Sequence, residues 1–279
     1  MIINRSFKEF KLQHRSKKNQ IIYSSKKVQS DKEVLNLIDN FLIEKNSFIF
    51  ESVEKGKIKG RYTIFGKNPD KIWEFNNNNS FLIKNNKKVK LKEKPQILIE
   101  NIIEDFKFKI PSGLPSIASL ISGYFSYDTI RYIENIPNKC KDDLKVPDVR
   151  LLRPRILVIH DNLKKKIFYI VNIFKDEKIS NYPKKYLGIK SELSKLFTQS
   201  LKAKDKTTNE KKLAKINVKS NTSKNKFLSM VNKAKKYIKI GDIFQVVLSQ
   251  RFETKLTKKP LDIYKKLRIT NPSPFMFFF

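Results

Sequence analysis

The sequence predicts an α+β protein, antiparallel β-sheets with helices packed outside them. Three observations carry that expectation. Strand-type segments bounded by Gly or Asn recur at residues 47–54, 60–66, 71–75 and 80–84. Two apolar runs, 155–160 and 166–174, flank Asp161-Asn162 in the manner of a hairpin. Helical three-and-four spacing occurs in separate stretches, with no strand–helix–strand repeat of the kind that builds a parallel sheet.

Taken in order, Ser30-Asp31-Lys32-Glu33 has the form of a capping box before Val34, Leu37, Ile38, Phe41 and Leu42, which fall on one helical stripe. The strand at 47–54 turns polar at Glu51-Ser52 and enters a loop through Lys55-Gly56-Lys57. Asn tolerates positive φ, so the run at 76–79 suits a turn between strands 71–75 and 80–84. Pro95 opens a helix that puts Leu98, Ile99, Ile102, Ile103 and Phe106 on one face. Past the bends at Pro111 and Pro115 comes the dense stretch 121–132, and residues 187–197 read as a further helix. Apolar periodicity is lost between 199 and 225, which marks a linker or exposed loop. It separates an amino-terminal domain, 1–198, from the beginning of a second domain, 226–279.

The second segment opens with Phe227, Met230, Val231, Ala234, Tyr237 and Ile238 at helical spacing, with Ser223 as N-cap and Gly241 closing the helix. Alternation then predicts a strand over 242–252. Lys259-Pro260 starts another helix, with Leu261, Tyr264 and Leu267 facing inward, and Asn271-Pro272 ends it. Residues 273–279 end in a run of aromatics, expected as a strand buried on both faces.

Composition bounds the function. The 279 residues carry a formal charge of +33. That charge is nearly all Lys, spread along the chain among Asn and Ile, with few of the Arg that make bidentate contacts to bases and phosphates. The expectation is a solvated basic surface with no nucleic-acid and no membrane partner. A single cysteine, Cys140, excludes an internal disulfide or thiolate cluster. His14 and His160 have no carboxylate or thiol at ligand spacing and read as a surface and a strand-end histidine. No apolar run is long enough to span a bilayer, and residues 1–18 lack the apolar stretch of a secretory signal, so a cytoplasmic location is expected.

Two blocks near the carboxyl end carry a resemblance. Gly241-Asp242-Ile243-Phe244-Gln245-Val246-Val247-Leu248-Ser249-Gln250-Arg251-Phe252 and Leu267-Arg268-Ile269-Thr270-Asn271-Pro272-Ser273-Pro274-Phe275-Met276 resemble the large subunit of anthranilate synthase, component I. The upstream blocks at 50–54 with 60–66, at 123–132 and at 142–150 are similar to the same family and follow its order, so the resemblance runs over roughly residues 30 to 279. The aminodeoxychorismate synthase large subunit shares this plan but usually has Asn where this chain has Val247.

The resemblance implies a lyase subunit of tryptophan biosynthesis that converts chorismate and ammonia into anthranilate and pyruvate. It further implies a glutamine amidotransferase partner (component II), Mg²⁺ and feedback inhibition by L-tryptophan bound in the amino-terminal, regulatory region. The family's inhibitor-lining positions fall here on Glu51, Ser52, Asn271, Pro274, Phe275 and Met276. Their chemistry is sensible: an amino acid needs a partner for its ammonium, a donor for its carboxylate and a flat apolar slot for the indole. Phe275 departs from the family's Tyr and removes a hydroxyl. The family's magnesium-binding glutamates, general acid or base and Gly-Thr cradle all come after the Asn-Pro-Ser-Pro block. No catalytic or metal-ligating residue is therefore expected within these residues. The chain reads as an amino-terminal part with an incomplete chorismate-binding domain, inactive by itself. The other readings are the aminodeoxychorismate subunit, a stand-alone tryptophan-binding module and a basic RNA-associated protein.

Overall fold

A computed structural model describes residues 2–52, 60–139, 141–203 and 216–279. The loop at 55–57, Cys140 and the middle of the 199–225 segment lie outside the described residues. In chain order the elements are α1 (Phe7–Arg15), β1 (Gln20–Lys27), α2 (Lys32–Phe41), β2 (Phe48–Ser52), β3 (Tyr62–Asn76), β4 (Asn79–Lys84), β5 (Lys87–Leu91) and α3 (Pro95–Asp105). Then come β6 (Ser122–Phe125), β7 (Val149–Asp161), β8 (Lys166–Ile173), α4 (Tyr182–Leu201), β9 (Val218–Ser220), α5 (Lys224–Lys239), β10 (Phe252–Thr254), α6 (Pro260–Thr270) and β11 (Phe275–Phe278). Short 3-10 turns cover Ser116–Ala118 and Tyr127–Tyr132.

The chain divides into two compact units, Met1–Asp205 with Lys266–Phe279, and Lys206–Lys265. The second division falls inside α6, so the last turn of that helix and β11 belong with the amino-terminal unit, not with the segment expected to begin at 226.

In the first unit nine described strands form one antiparallel sheet in the order β1-β8-β7-β3-β2-β11, with β4 and β5 continuing from β3 and β6 pairing with β7. Its centre is apolar on both faces because Ile156–Ile159 of β7 and Ile167–Val171 of β8 are continuous apolar runs, all of them buried. On one side Ile21, Phe48, Leu157, Ile159, Phe168 and Ile170 pack with Leu114 and Ala118. Farther along, Trp73, Phe75, Val149 and Leu151 receive Ile102 of α3 and Tyr132. Each fully buried Phe or Leu of this kind contributes about 1.5–3 kcal/mol. Phe48 lies against Gly66, its partner on β3, where an added Cβ would collide with the ring. The Asn36 and Asn40 side chains of α2 donate to the carbonyls of Ser200 and Gln199 at the end of α4.

Several expectations change. The strands at 60–66 and 71–75 are one long β3, whose register shifts between Pro69 and Lys71 because Pro cannot donate to a ladder. The residues of the capping box before α2 bond in another way: Asp31 takes the N-cap position but its side chain does not cap the helix, the Ser30 hydroxyl accepts from Lys32 N, and Glu33 accepts from Gln29 N and pairs with Lys26. The segment at 187–197 lengthens to α4, capped by Asn181.

Residues 242–251 form no strand, for no described strand lies beside them to complete a ladder; only β10 pairs, with β9. Phe244 and Val247 are consequently exposed. The terminal aromatics do form a strand, β11, but Phe275 and Phe277 are exposed, so it is not buried on both faces. His14 is no surface residue: it is buried on α1, with Nδ1 2.9 Å from the Tyr182 hydroxyl. His160 is buried within β7.

Candidate functional site

The six residues expected to line an amino-acid site come from two distant stretches that the sheet brings together. β2 ends on Glu51-Ser52, and β11 pairs with it antiparallel, setting Phe275 opposite Ser52 and Met276 opposite Glu51. Asn271 follows the last residue of α6, its amide donating to Leu267 O at 2.9 Å, and Pro274 immediately precedes β11. Pro fits there because the position before a strand needs no ladder donor and φ near −65° leads the chain into extended geometry.

Strand periodicity divides the four ladder residues. Successive side chains point to opposite faces, whereas directly paired residues share one. Ser52, Phe275, Phe277 and Phe50 therefore stand on one face, and Glu51, Met276, Phe278 and Ile49 on the other. The first face is an aromatic surface: Phe279 stacks on Phe50 with ring centroids 6.5 Å apart, lies 6.1 Å from Phe48 and meets the edge of Tyr124 at 6.1 Å. Burial pushes the Tyr124 hydroxyl up, against the pull of the Arg150 charge, so it stays a neutral donor. Gly60 passes so close to Ser52 that an added Cβ would collide with the hydroxymethyl group; any other residue there would displace it.

The second face holds an ion pair that sequence reasoning missed. The Glu51 side chain is 1% exposed and both of its oxygens accept from Arg268 Nε at 2.9 Å. Arg268 sits in the last turn of α6, within the same unit as β2. A buried carboxylate needs a cation, which was a signal that Glu51 would have a basic partner. Nothing local identifies that partner, because the pair spans 217 positions of sequence.

The carboxylate of Glu51 is thus spent inside the protein, and its face is opposite to that of Ser52. What the ladder presents chemically is a hydroxyl at Ser52 and the exposed ring of Phe275 beside it. That combination suits a small ligand with one anionic end and a flat apolar body.

Two cavities lie away from this ladder. One of about 780 Å³ runs along α5 past Leu228, Asn232, Lys236 and Tyr237. The other, of about 510 Å³, lies beside the start of α4 among Arg155, Glu177, Asn181 and Lys185. Neither is lined by any of the six residues expected to line an amino-acid site. Among the described residues no group of three or more His, Cys, Asp or Glu side chains converges. The described residues therefore do not fit a magnesium site. Nor is any described helix long and apolar enough to cross a membrane.

Residues 45–279 match the family described as chorismate binding enzyme. The chain is 35% identical over 266 residues to anthranilate synthase component 1 of Acetivibrio thermocellus, an alignment covering 92% of this chain and 53% of that protein. It is 30% identical over 287 residues to anthranilate synthase component 1 of Cereibacter sphaeroides, covering 98% of this chain and 56% of the relative. The crystal structure of anthranilate synthase component I from Streptococcus pneumoniae superposes with a TM-score of 0.63 at 25% identity, over 89% of this chain and 53% of that one. The chain thus spans about half the length of the curated relatives it matches.

Proposed function

The chain belongs to the chorismate-binding enzyme family, and from that premise we propose that it serves as the large subunit of anthranilate synthase, with an L-tryptophan site on the β2–β11 ladder. The observation that carries the synthase reading is the 35% identity to an anthranilate synthase component 1 across 92% of the chain. In that role the protein acts on chorismate with ammonia supplied by a glutamine amidotransferase subunit, releasing anthranilate and pyruvate in the tryptophan pathway. The tryptophan reading is supported by the juxtaposition of Ser52 with Phe275 and of Glu51 with Met276, residues more than 200 positions apart that one ladder sets side by side.

On this reading the Ser52 hydroxyl donates to the ligand carboxylate, and Phe275 and Phe50 flank the indole. Pro274 shapes the slot and Asn271 fixes the turn into it, while Met276, on the Glu51 face, backs the strand that carries Phe275. The ammonium goes to backbone carbonyls at the end of the ladder, since Glu51 faces the other way. Phe275, lacking a hydroxyl, forgoes about 1 kcal/mol of binding if a Tyr at this position would bond the ligand.

Two experiments test these proposals. In the natural gene product, assayed with chorismate, an ammonium salt and Mg²⁺, the expected product is fluorescent anthranilate. Aminodeoxychorismate in its place would assign the chain to the sister enzyme. Residues 1–279 produced alone are expected to show no turnover. Titration of L-tryptophan into that polypeptide is expected to give one saturable site, weakened about tenfold by Ser52→Ala, the loss of one hydrogen bond to a charged group. Binding that ignores Ser52 would refute the placement of the site.

A further inference from the structure

The terminal strand has a register problem that its own sequence does not solve. Register is normally fixed because a slip by one residue sends the apolar set of a strand to the wrong face. Phe275-Met276-Phe277-Phe278-Phe279 has no alternation, so a slipped β11 buries as much apolar surface as the observed one. Yet the observed register alone sets Phe275 beside Ser52. The loop from α6 to β11 is short, with α6 ending at Thr270 and β11 starting at Phe275, so whatever fixes the last turn of α6 fixes the register.

That turn is held by Arg268. Its Nε bonds both oxygens of a carboxylate that is 1% exposed and sits in β2 itself. A buried ion pair adds little net stability over an apolar pair of equal size, but removing one partner is costly, and such pairs serve best as markers of register. We propose that Arg268 and Glu51 are a positioning pair for the amino-acid site: they clamp the last turn of α6 to β2 and so set Asn271, Pro274, Phe275 and Met276 against Ser52, without either side chain touching the ligand. The inference rests on the reading of that ladder as an L-tryptophan site, and it assigns Arg268 a role and changes that of Glu51 from ligand contact to support.

The test is calorimetric titration of residues 1–279 and its variants with L-tryptophan and with indole-3-propionate, which keeps the carboxylate and lacks the ammonium. Arg268→Gln and Glu51→Gln are each expected to weaken both ligands by the same factor, about tenfold. The double variant should be no weaker than Glu51→Gln alone, because the Arg268–Glu51 interaction is already lost there. Arg268→Lys, which keeps one donor, should recover part of the loss, and stoichiometry per folded chain should stay constant.

Loss of tryptophan binding with indole-3-propionate binding intact in Glu51→Gln would overturn the proposal in favour of a direct ammonium contact. A lowered Tm with unchanged Kd in both single variants would overturn it in favour of a purely structural pair. Should Glu51→Gln fail to fold, Arg268→Gln and Arg268→Lys decide on the same readouts. A wild-type chain that binds no tryptophan, or binds it independently of Ser52, overturns the site reading itself, a result distinct from either of these.

Discussion

Asp176 shows how single charges are placed in this very basic chain. It lies beside β8 within reach of Lys71 and accepts from Arg153 Nη2 at 2.9 Å, while Arg153 also holds Asp70 and lies over the Phe174 ring at 3.9 Å. Partial burial pushes the Asp176 carboxyl up, but the Lys71 hydrogen bond and the Arg153 charge outweigh it and bring the pKa from 3.8 down to about 2. A group depressed in the folded state stabilises the fold above its unfolded value and loses that contribution as pH falls through the folded one. The stability from Asp176 is therefore complete above pH 3.8 and disappears on approaching pH 2. Asp176→Asn is expected to be less stable than wild type at neutral pH and to show a shallower decline between pH 4 and 2, read from urea midpoints across that range. Equal slopes for the two proteins would show that the Lys71–Asp176–Arg153 contacts are screened by solvent and contribute nothing.

Residue types alone did not disclose such pairings. Glu51 and Ser52 were legible as a polar end to a strand, and period-two geometry already forbade their side chains one common face. What could not be read was the partner of Glu51, since Arg268 gains its meaning only when the last turn of α6 lies against β2. His14 likewise read as a surface group because its partner, Tyr182, is on another helix.

Elements with local punctuation were the legible ones. Ser223 accepts from Lys226 N at 3.3 Å and Gly241 takes φ +83°, so α5 starts and stops where the sequence places its caps. Asn77 and Asn78 take positive φ at the β3–β4 turn for the reason that predicted it. By contrast, α1 and β1 gave no expectation, and β5 hid among lysines: an exposed two-sided edge strand buries too little to leave an alternating signature. Residues 242–251 erred in the opposite direction. Alternation describes which side chains a strand would expose, but a strand exists only with a neighbour, and none is described there.

Capping also gives the prediction at this scale. The Asn181 side chain accepts from Lys184 N at 2.9 Å at the head of α4, which places Tyr186, Ile189, Leu193 and Leu196 in the core. Asn181→Ala strands that amide and is expected to cost about 1 kcal/mol, seen as a lower urea midpoint with an unchanged m-value. Asn181→Gly should cost only a few tenths of a kcal/mol, about a fifth to a half as much. An Asn181→Ala midpoint equal to that of wild type would show that the cap contributes nothing.

At the scale of the molecule, burial is distributed very unevenly between the two units. The sheet of the first unit has fully buried Phe65, Phe75, Leu157, Val158, Ile159, Tyr169 and Ile170 at its centre. In the described part of the second unit, residues 216–265, only Ala234 and Tyr264 are buried. There Leu228, Ile238, Ile240, Phe244, Val247, Phe252 and Leu256 are exposed, an apolar surface far beyond the scattered residues normal on a protein exterior. Local opening free energy follows buried apolar contact, and backbone hydrogen bonds that face water open readily. Helix α5, however well capped, buries only Ala234 and leaves Leu228, Tyr237 and Ile238 exposed, and an isolated helix of 16 residues is marginal in water. In hydrogen–deuterium exchange of residues 1–279, peptides from 216–265 are therefore expected to exchange within seconds to minutes. Peptides from β1, β7 and β8 should retain protection up to the global unfolding limit. The same surface should bind a hydrophobic dye in the native state. Protection of α5 equal to that of β7, together with no dye binding, would mean that the exposed stripe is covered in solution.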